Sequence, residues 1–209
     1  MKASNILLDA ELNSKISDFG TARIFGVAET EANTNRIVGT YGYLAPEYAM
    51  EGIFSTKSDV YSFGILLLEI ISGQLNYRFC IQDVPQNFLS AVWRLWRENK
   101  GEQLIDRSLN PDFPITEALR WINIALLCVQ EDPKSRPTMS TVIFMLEGEW
   151  SQNLPAPLEP RSSFTRHATV LELPMTTSDT TKNPSIDLPS SVIDPLPKKK
   201  KFSLLIHGR

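Results

Sequence analysis

The chain has 209 residues, 42% of them apolar and 22% charged, with a formal net charge of −3 at pH 7. This is enough for one ordinary domain with a packed core, and the charge balance excludes a strongly basic nucleic-acid-binding surface. Residues 1–149 carry 13 Lys and Arg against 19 Asp and Glu, while residues 150–209 carry 8 against 5, so a mildly acidic body precedes a basic tail.

Two cysteines, Cys80 and Cys128, make no disulfide framework and point to a reducing, intracellular compartment. Cys128 lies in the apolar run 125–129 and reads as core. The most apolar stretch, residues 64–71, is too short for a membrane span and contains Glu69. The first residues carry no secretory signal pattern.

In chain order, residues 5–8 and 14–17 read as two short strands around a turn from Asp9 to Asn13. Antiparallel pairing sets the first residue of one strand beside the last of the other, so Asn5 and Asp18 meet at the open end. An amide oxygen beside a carboxylate suits Mg²⁺, which takes one or two protein oxygens and completes its octahedron with phosphate and water. The alternative is that both are turn residues flanking a hairpin. Residues 21–44 are small and polar without a steady period and read as a mobile loop.

Residues 56–72 give the strongest helix. Thr56 or Ser58 is expected to cap it, Asp59 sits in its first turn and Gly73 stops it. Val60, Phe63, Leu67, Leu68 and Ile71 keep helical spacing, and Ile65, Leu66 and Ile70 fill the other side. Such a helix is buried all round. Asp59 also suits the positive end of the helix dipole. Residues 87–99 read as a helix with Leu89, Val92, Trp93 and Trp96 inward, and Pro111 to Pro114 as loop. Thr116 is expected to cap a further helix through Gln130, with Leu119, Ile122, Leu126 and Val129 in step. Thr138 opens the last helix, with Met139, Val142, Met145 and Leu146 on one face.

Residues 150–209 hold eight of the fourteen prolines and no Trp or Tyr after Trp150. Such a segment buries too little apolar surface to offset its ordering entropy and reads as a disordered tail. Its lysines at 198–201 read as a solvated run; a nuclear address and an anionic-lipid contact are the alternatives.

Several motifs follow one another in order: Asp18-Phe19-Gly20, then Gly39-Thr40-x-Gly42-Tyr43, Ala45-Pro46-Glu47, Asp59-Val60-Tyr61-Ser62-Phe63-Gly64 and Arg136-Pro137-Thr138-Met139. Together they resemble the protein kinases across residues 1–149. Arg120-Trp121, the run from Ile124 to Pro133, Thr34 to Tyr43 and Glu47 to Gly52 narrow the resemblance. They are similar to plant receptor-like Ser/Thr kinases of the cysteine-rich or S-domain kind.

The resemblance implies a mostly α fold: the large, C-terminal lobe of a protein kinase with a short β-hairpin, no small lobe, and the disordered tail after 149. It implies ATP-dependent phosphoryl transfer to protein Ser or Thr, with Asp18 and Asn5 on the Mg²⁺ ions that bridge the ATP phosphates. Lys2 matches the lysine that reaches the transferred phosphate; a solvated terminus is the alternative. Thr34, with Thr30 behind it, and Thr40 are the expected regulatory phosphosites, and Thr40 also matches the threonine that contacts the catalytic loop. Glu47 and Arg136 match a buried ion pair, and Asp59 matches the residue that anchors the catalytic-loop backbone. The family's Gly-rich loop, its phosphate-gripping lysine with a glutamate partner, and its catalytic aspartate have no counterpart in the sequence. The chain alone is therefore expected to be inactive. The second reading is a non-catalytic interaction module, or a phosphorylation substrate of a full-length receptor kinase. Protein substrates or such a kinase are the expected partners, at the cytoplasmic face of the plasma membrane where the family resides. No nucleic acid is expected among them, and the chain carries no span of its own.

Overall fold

The computed structural model describes residues 1–24, 30–76, 88–106, 108, 113–148 and 154–160. Cys80, residues 77–87, the lysines at 198–201 and most of the tail lie outside the described residues. Two strands, β1 (Ile6–Leu8) and β2 (Ser14–Ile16), pair antiparallel with Ile6 opposite Ile16. Asp9 closes their turn: its carboxylate accepts from the Asn13 backbone N–H at 2.8 Å. Leu12 takes a left-handed φ of 70° there.

The stretch read as a mobile loop contains a strand. β3 (Glu31–Asn33) pairs antiparallel with β4 (Ile53–Ser55), Ala32 opposite Phe54. Glu31, Ala32 and Asn33 have no strand propensity of their own, so the ladder comes from the partner, whose Ile53 and Phe54 do. Between the strands lies the short helix α1 (Pro46–Glu51), which opens on proline and closes on Gly52 at φ 69°.

Helix α2 (Thr56–Ser72) is capped by Ser55, not by Thr56 or Ser58. The Ser55 hydroxyl accepts from the Lys57 N–H, and Ser58 returns a bond to the Ser55 N–H, so Ser58 is the far half of a capping box. Gly73, at φ 62°, stops the helix as expected. Helices α3 (Phe88–Arg97), α4 (Ile115–Cys128) and α5 (Met139–Leu146) follow. Helix α4 starts after Pro114, not from a Thr116 cap, and ends at Cys128 rather than Gln130. The Glu117 and Ala118 N–H groups donate to the Pro114 carbonyl at 3.0 and 3.1 Å, so the first turn closes on a proline that has no N–H of its own to leave unpaired. Thr138 caps α5, accepting from the Thr141 N–H at 3.2 Å.

The core forms where α2 crosses α4. Val60, Ile65, Leu68 and Ile71 meet Ile122, Ala125, Leu126 and Cys128, with Phe88, Val92 and Trp93 of α3 beside them. Burial pushes the Cys128 thiol up to about 12, which leaves it a packing group rather than a nucleophile. Among the described residues no helix is long and apolar enough to cross a membrane.

Gly64 fixes how closely the two helices approach. A Cβ there would sit 2.7 Å from both Cys128 Cβ and Val129 Cγ1 and 3.0 Å from the Ala125 carbonyl oxygen. Gly64→Ala should therefore lower the midpoint of thermal unfolding. Overpacking costs about 1–3 kcal/mol, against the roughly 1 kcal/mol alanine gains in helix propensity. A midpoint that stays level or rises in calorimetry would show that the crossing has slack.

Candidate functional site

The hairpin brings Asn5 and Asp18 together. The Ser17 N–H and hydroxyl both donate to the Asn5 carbonyl, at 2.8 and 3.0 Å, which locks the end of the ladder. One residue on, Asp18 takes a left-handed φ of 62°, and its Oδ2 accepts from Asn5 Nδ2 at 3.4 Å. The pair is open to solvent, and Phe19 beside it is 68% exposed. Among the described residues no three His, Cys, Asp or Glu side chains cluster as a metal cage. Asn5 turns its amide N–H to Asp18 and its Oδ1 to the Ser4 hydroxyl at 3.5 Å; with that amide reversed, two hard oxygens at an open edge would fit a Mg²⁺ that brings phosphate and water as its other ligands. Lys2 lies on the turn just before: its carbonyl accepts from the Asn5 N–H at 3.0 Å.

Asp59 sits in the first turn of α2, facing the same end of the chain. Surrounding protein pushes its carboxyl above the usual carboxylate range, and the positive amino terminus at Met1 offsets part of that rise.

The segment from Thr30 to Glu47 is held at three points. At the first, the Thr34 N–H donates to the Gly52 carbonyl at 3.0 Å, extending the β3–β4 ladder. The Thr34 hydroxyl closes a tight turn, accepting from the Arg36 N–H and donating to the Arg36 carbonyl, both at 3.2 Å. At the second, the Tyr48 hydroxyl clasps Val38, accepting from its N–H at 2.9 Å and donating to its carbonyl at 3.0 Å. The third lies under the turn at Thr40–Tyr43, where the Tyr43 N–H donates to the Thr40 carbonyl. There the Tyr43 hydroxyl and the Asn76 N–H both donate to Glu69 Oε1 at 2.7 Å. Asn76 Nδ2 donates to the Gly42 carbonyl at 2.7 Å, and the Ser62 hydroxyl to the Tyr43 carbonyl at 2.7 Å. Gly42 has φ +92°, and a Cβ on it would lie 2.5 Å from Asn76 Nδ2, so this close approach requires glycine. Thr40 and Tyr41 remain on the outer side, exposed.

Glu69 is the residue that sequence reasoning missed. Burial raises its pKa, and the bonds from Tyr43 and Asn76 offset part of that rise. The signal was present, since a carboxylate inside a helix apolar on every face must be partnered.

Glu47 and Arg136 form the firmest pair. Arg136 is 2% exposed, and its Nη1 and Nη2 each donate to one Glu47 oxygen at 2.8 Å. Its remaining donors go to the carbonyls of Gln130 at 2.7 Å, Lys57 at 3.0 Å and Glu131 at 3.1 Å. All five guanidinium N–H groups are thus used. The guanidinium also lies 5.0 Å over the Tyr61 ring, and Ser58 donates to Glu47 at 2.8 Å.

A family model described as protein tyrosine and serine/threonine kinase matches residues 1–146. The chain belongs to the protein kinase family. It is 51% identical over 194 residues to cysteine-rich receptor-like protein kinase 6 of Arabidopsis thaliana, covering 93% of this chain and 28% of that protein. It is 56% identical over 161 residues to cysteine-rich receptor-like protein kinase 18, covering 77% of this chain and 24% of that one. A G-type lectin S-receptor-like serine/threonine-protein kinase of the same plant is 53% identical over 160 residues, covering 77% and 19%. The chain thus spans about a quarter or less of most of these kinases, and its similarity lies with receptor-like Ser/Thr kinases.

Burial works to raise the Glu47 pKa, but the bonds and charge of Arg136 hold it below its ordinary value of 4.5. A carboxylate depressed in the folded state contributes stability above its unfolded pKa and loses it as pH falls through the folded one. The unfolding midpoint should therefore fall as pH drops below about 4.5. Arg136→Met should cost about 3–5 kcal/mol at neutral pH by stranding Glu47, seen as a lower urea midpoint at unchanged slope. A cost under about 1 kcal/mol would place the pair among ordinary surface bridges.

Proposed function

We propose that residues 1–149 supply two parts of an ATP-dependent transfer of phosphate to protein Ser or Thr: the metal half of the nucleotide site and the surface that receives the protein substrate. The observation that carries this reading is the meeting of Asn5 and Asp18 at the open edge of a hairpin, followed by a segment ordered on its inner side and open on its outer side. A bound Mg²⁺ supplies neutralisation of phosphate charge. Asn5 and Asp18 offer it oxygens, with Ser17 fixing the backbone between them. Lys2 is assigned to the transferred phosphate. Thr40 and Tyr41 present the turn on which a substrate chain lies, held from beneath by Tyr43, Glu69 and Asn76. Thr34 is assigned as the modified residue, because a phosphate on its hydroxyl removes the donor to the Arg36 carbonyl and brings charge to the turn, which resets its bonding. Leu7 on one face of the hairpin, Ile16 on the other and Phe19 beyond its open end are exposed apolar side chains, which suits packing against the rest of a kinase at the cytoplasmic side of the plasma membrane.

One observation favours a second reading. The substrate-facing segment is ordered by the lobe's own residues, through β3–β4, Tyr48 and Glu69. Such a lobe can dock a protein partner, or be phosphorylated by a full-length kinase, without binding nucleotide.

Thermal unfolding with Mg²⁺ and ATP decides between the two. Ligand at a hundred times its Kd stabilises the folded chain by about 2.7 kcal/mol. The first reading expects a midpoint raised by the two together, and no rise in Asp18→Asn. A cooperative transition indifferent to nucleotide would sink it and leave the docking lobe.

A further inference from the structure

Residues 154–160, reading Leu-Pro-Ala-Pro-Leu-Glu-Pro, lie beyond the family match, which ends at residue 146. They nevertheless lie against the lobe. Pro155, Pro157 and Pro160 each fix φ near −65°, and each biases the residue before it towards extended backbone. Every position but Leu158 is thus pre-set, and little chain entropy is lost on docking. An extended proline-rich chain turns once in about three residues. The burial follows that period: Leu154, Pro157 and Pro160 are half-buried, while Pro155, Ala156, Leu158 and Glu159 are exposed. One edge of an extended helix therefore faces the protein.

The contacts agree. Leu154 packs against the hydrophobic core. The Leu158 N–H donates to Gln130 Oε1 at 3.2 Å, although the Leu158 side chain is 69% exposed. Gln130 is itself buried, and its amide is oriented by a 2.8 Å bond from Nε2 to the Leu126 carbonyl. That fixes Oε1 as the acceptor for an incoming main-chain N–H. Arg97 Nη1 lies 3.0 Å from Glu159 Oε1; this exposed pair adds register rather than much energy.

We propose that the ends of α3 and α4 form a docking site for an extended, proline-spaced segment, and that residues 154–160 occupy it in cis. Leu154, Pro157 and Pro160 fill the apolar side, Gln130 takes the Leu158 backbone N–H, and Arg97 reads the carboxylate near the end. The site is separate from Asn5 and Asp18 and holds whether or not the chain binds nucleotide.

Amide hydrogen exchange by NMR on the full 209-residue chain tests it. The Leu158 amide should exchange about tenfold or more slowly than in the free heptapeptide, since a bonded amide must open first. Leu154→Asp, on the docked edge, should return it to the peptide rate, while Ala156→Asp, on the outer edge, should not. Added heptapeptide should then shift the Gln130 side-chain amide in Leu154→Asp and leave it unmoved in the unaltered chain. Pro157→Ser, on the same edge but off the core, serves in place of Leu154→Asp if that change unfolds the lobe. Peptide-rate exchange in the unaltered chain, equal loss in the inner and outer variants, or a folded inner variant whose Gln130 ignores the peptide would each overturn the proposal.

Discussion

The structure depends first on one guanidinium. Arg136 sits between the start of α2, the end of α4 and the start of α1, and it donates to a group on each. Two of its bonds go to Glu47 and the others to the carbonyls of Gln130, Glu131 and Lys57. Lys57 adds a bond from its ammonium to the Arg136 carbonyl. A buried cation is tolerable only when its charge and every N–H are met. Here that demand makes the arginine a spacer, because the three elements can approach only in the geometry that satisfies it. The pair performs no chemistry. It fixes α1, and with it the far end of the segment on which a substrate would lie.

A second constraint works from the other side of the same segment. Glu69 is buried in α2, and its Oε1 accepts from the Tyr43 hydroxyl and the Asn76 amide. Asn76 in turn holds the Gly42 carbonyl. The turn at residues 40–43 is therefore tied to the central helix, as Glu47 is tied to Arg136. With the Tyr48 clasp on Val38, the backbone from Val38 to Glu47 is anchored at both ends and in the middle. Its outer side chains, Thr40 and Tyr41, are left to solvent. Order on the inner side and exposure on the outer is what a docking surface needs, because the entropy of shaping it is lost on folding rather than on binding.

The sequence was most legible where burial and pattern coincide. The all-round apolar character of α2 placed it at the centre of the core, and Gly73 marked its end. The antiparallel rule alone set Asn5 beside Asp18. The failures have physical causes. Glu31, Ala32 and Asn33 form a strand because Ile53, Phe54 and Ser55 offer an edge, and no local property of the three residues announces that. The cap of α2 fell one residue early because a capping box uses two serines and pattern reading chose the wrong member. Helix α4 opens on Pro114, whose carbonyl takes the N–H groups of Glu117 and Ala118, ahead of the Thr116 hydroxyl that could have capped it. Glu69 was seen only as a charge that interrupts an apolar run, whereas its isolation was the evidence of a partner.

The Asn5–Asp18 pair and the segment at residues 38–47 are built on unequal foundations. Residues 38–47 are tied to α2 and Arg136, so they share the stability of the core. Asn5 and Asp18 ride on a three-residue ladder whose outer residues Leu7 and Ile16 are about half exposed. Two short strands whose better-covered face, carrying Ile6 and Leu8, is only half-buried hold together marginally. Their geometry rests on the short ladder, the two bonds from Ser17 and the turn at Asp9 more than on packing. Local opening of the hairpin therefore costs far less than opening the lobe. A cation between Asn5 and Asp18 would change that balance, because it bridges the first residue of one strand to the residue after the other. The metal would then complete the hairpin as much as the hairpin holds the metal, while the segment at residues 38–47 stays formed in either state.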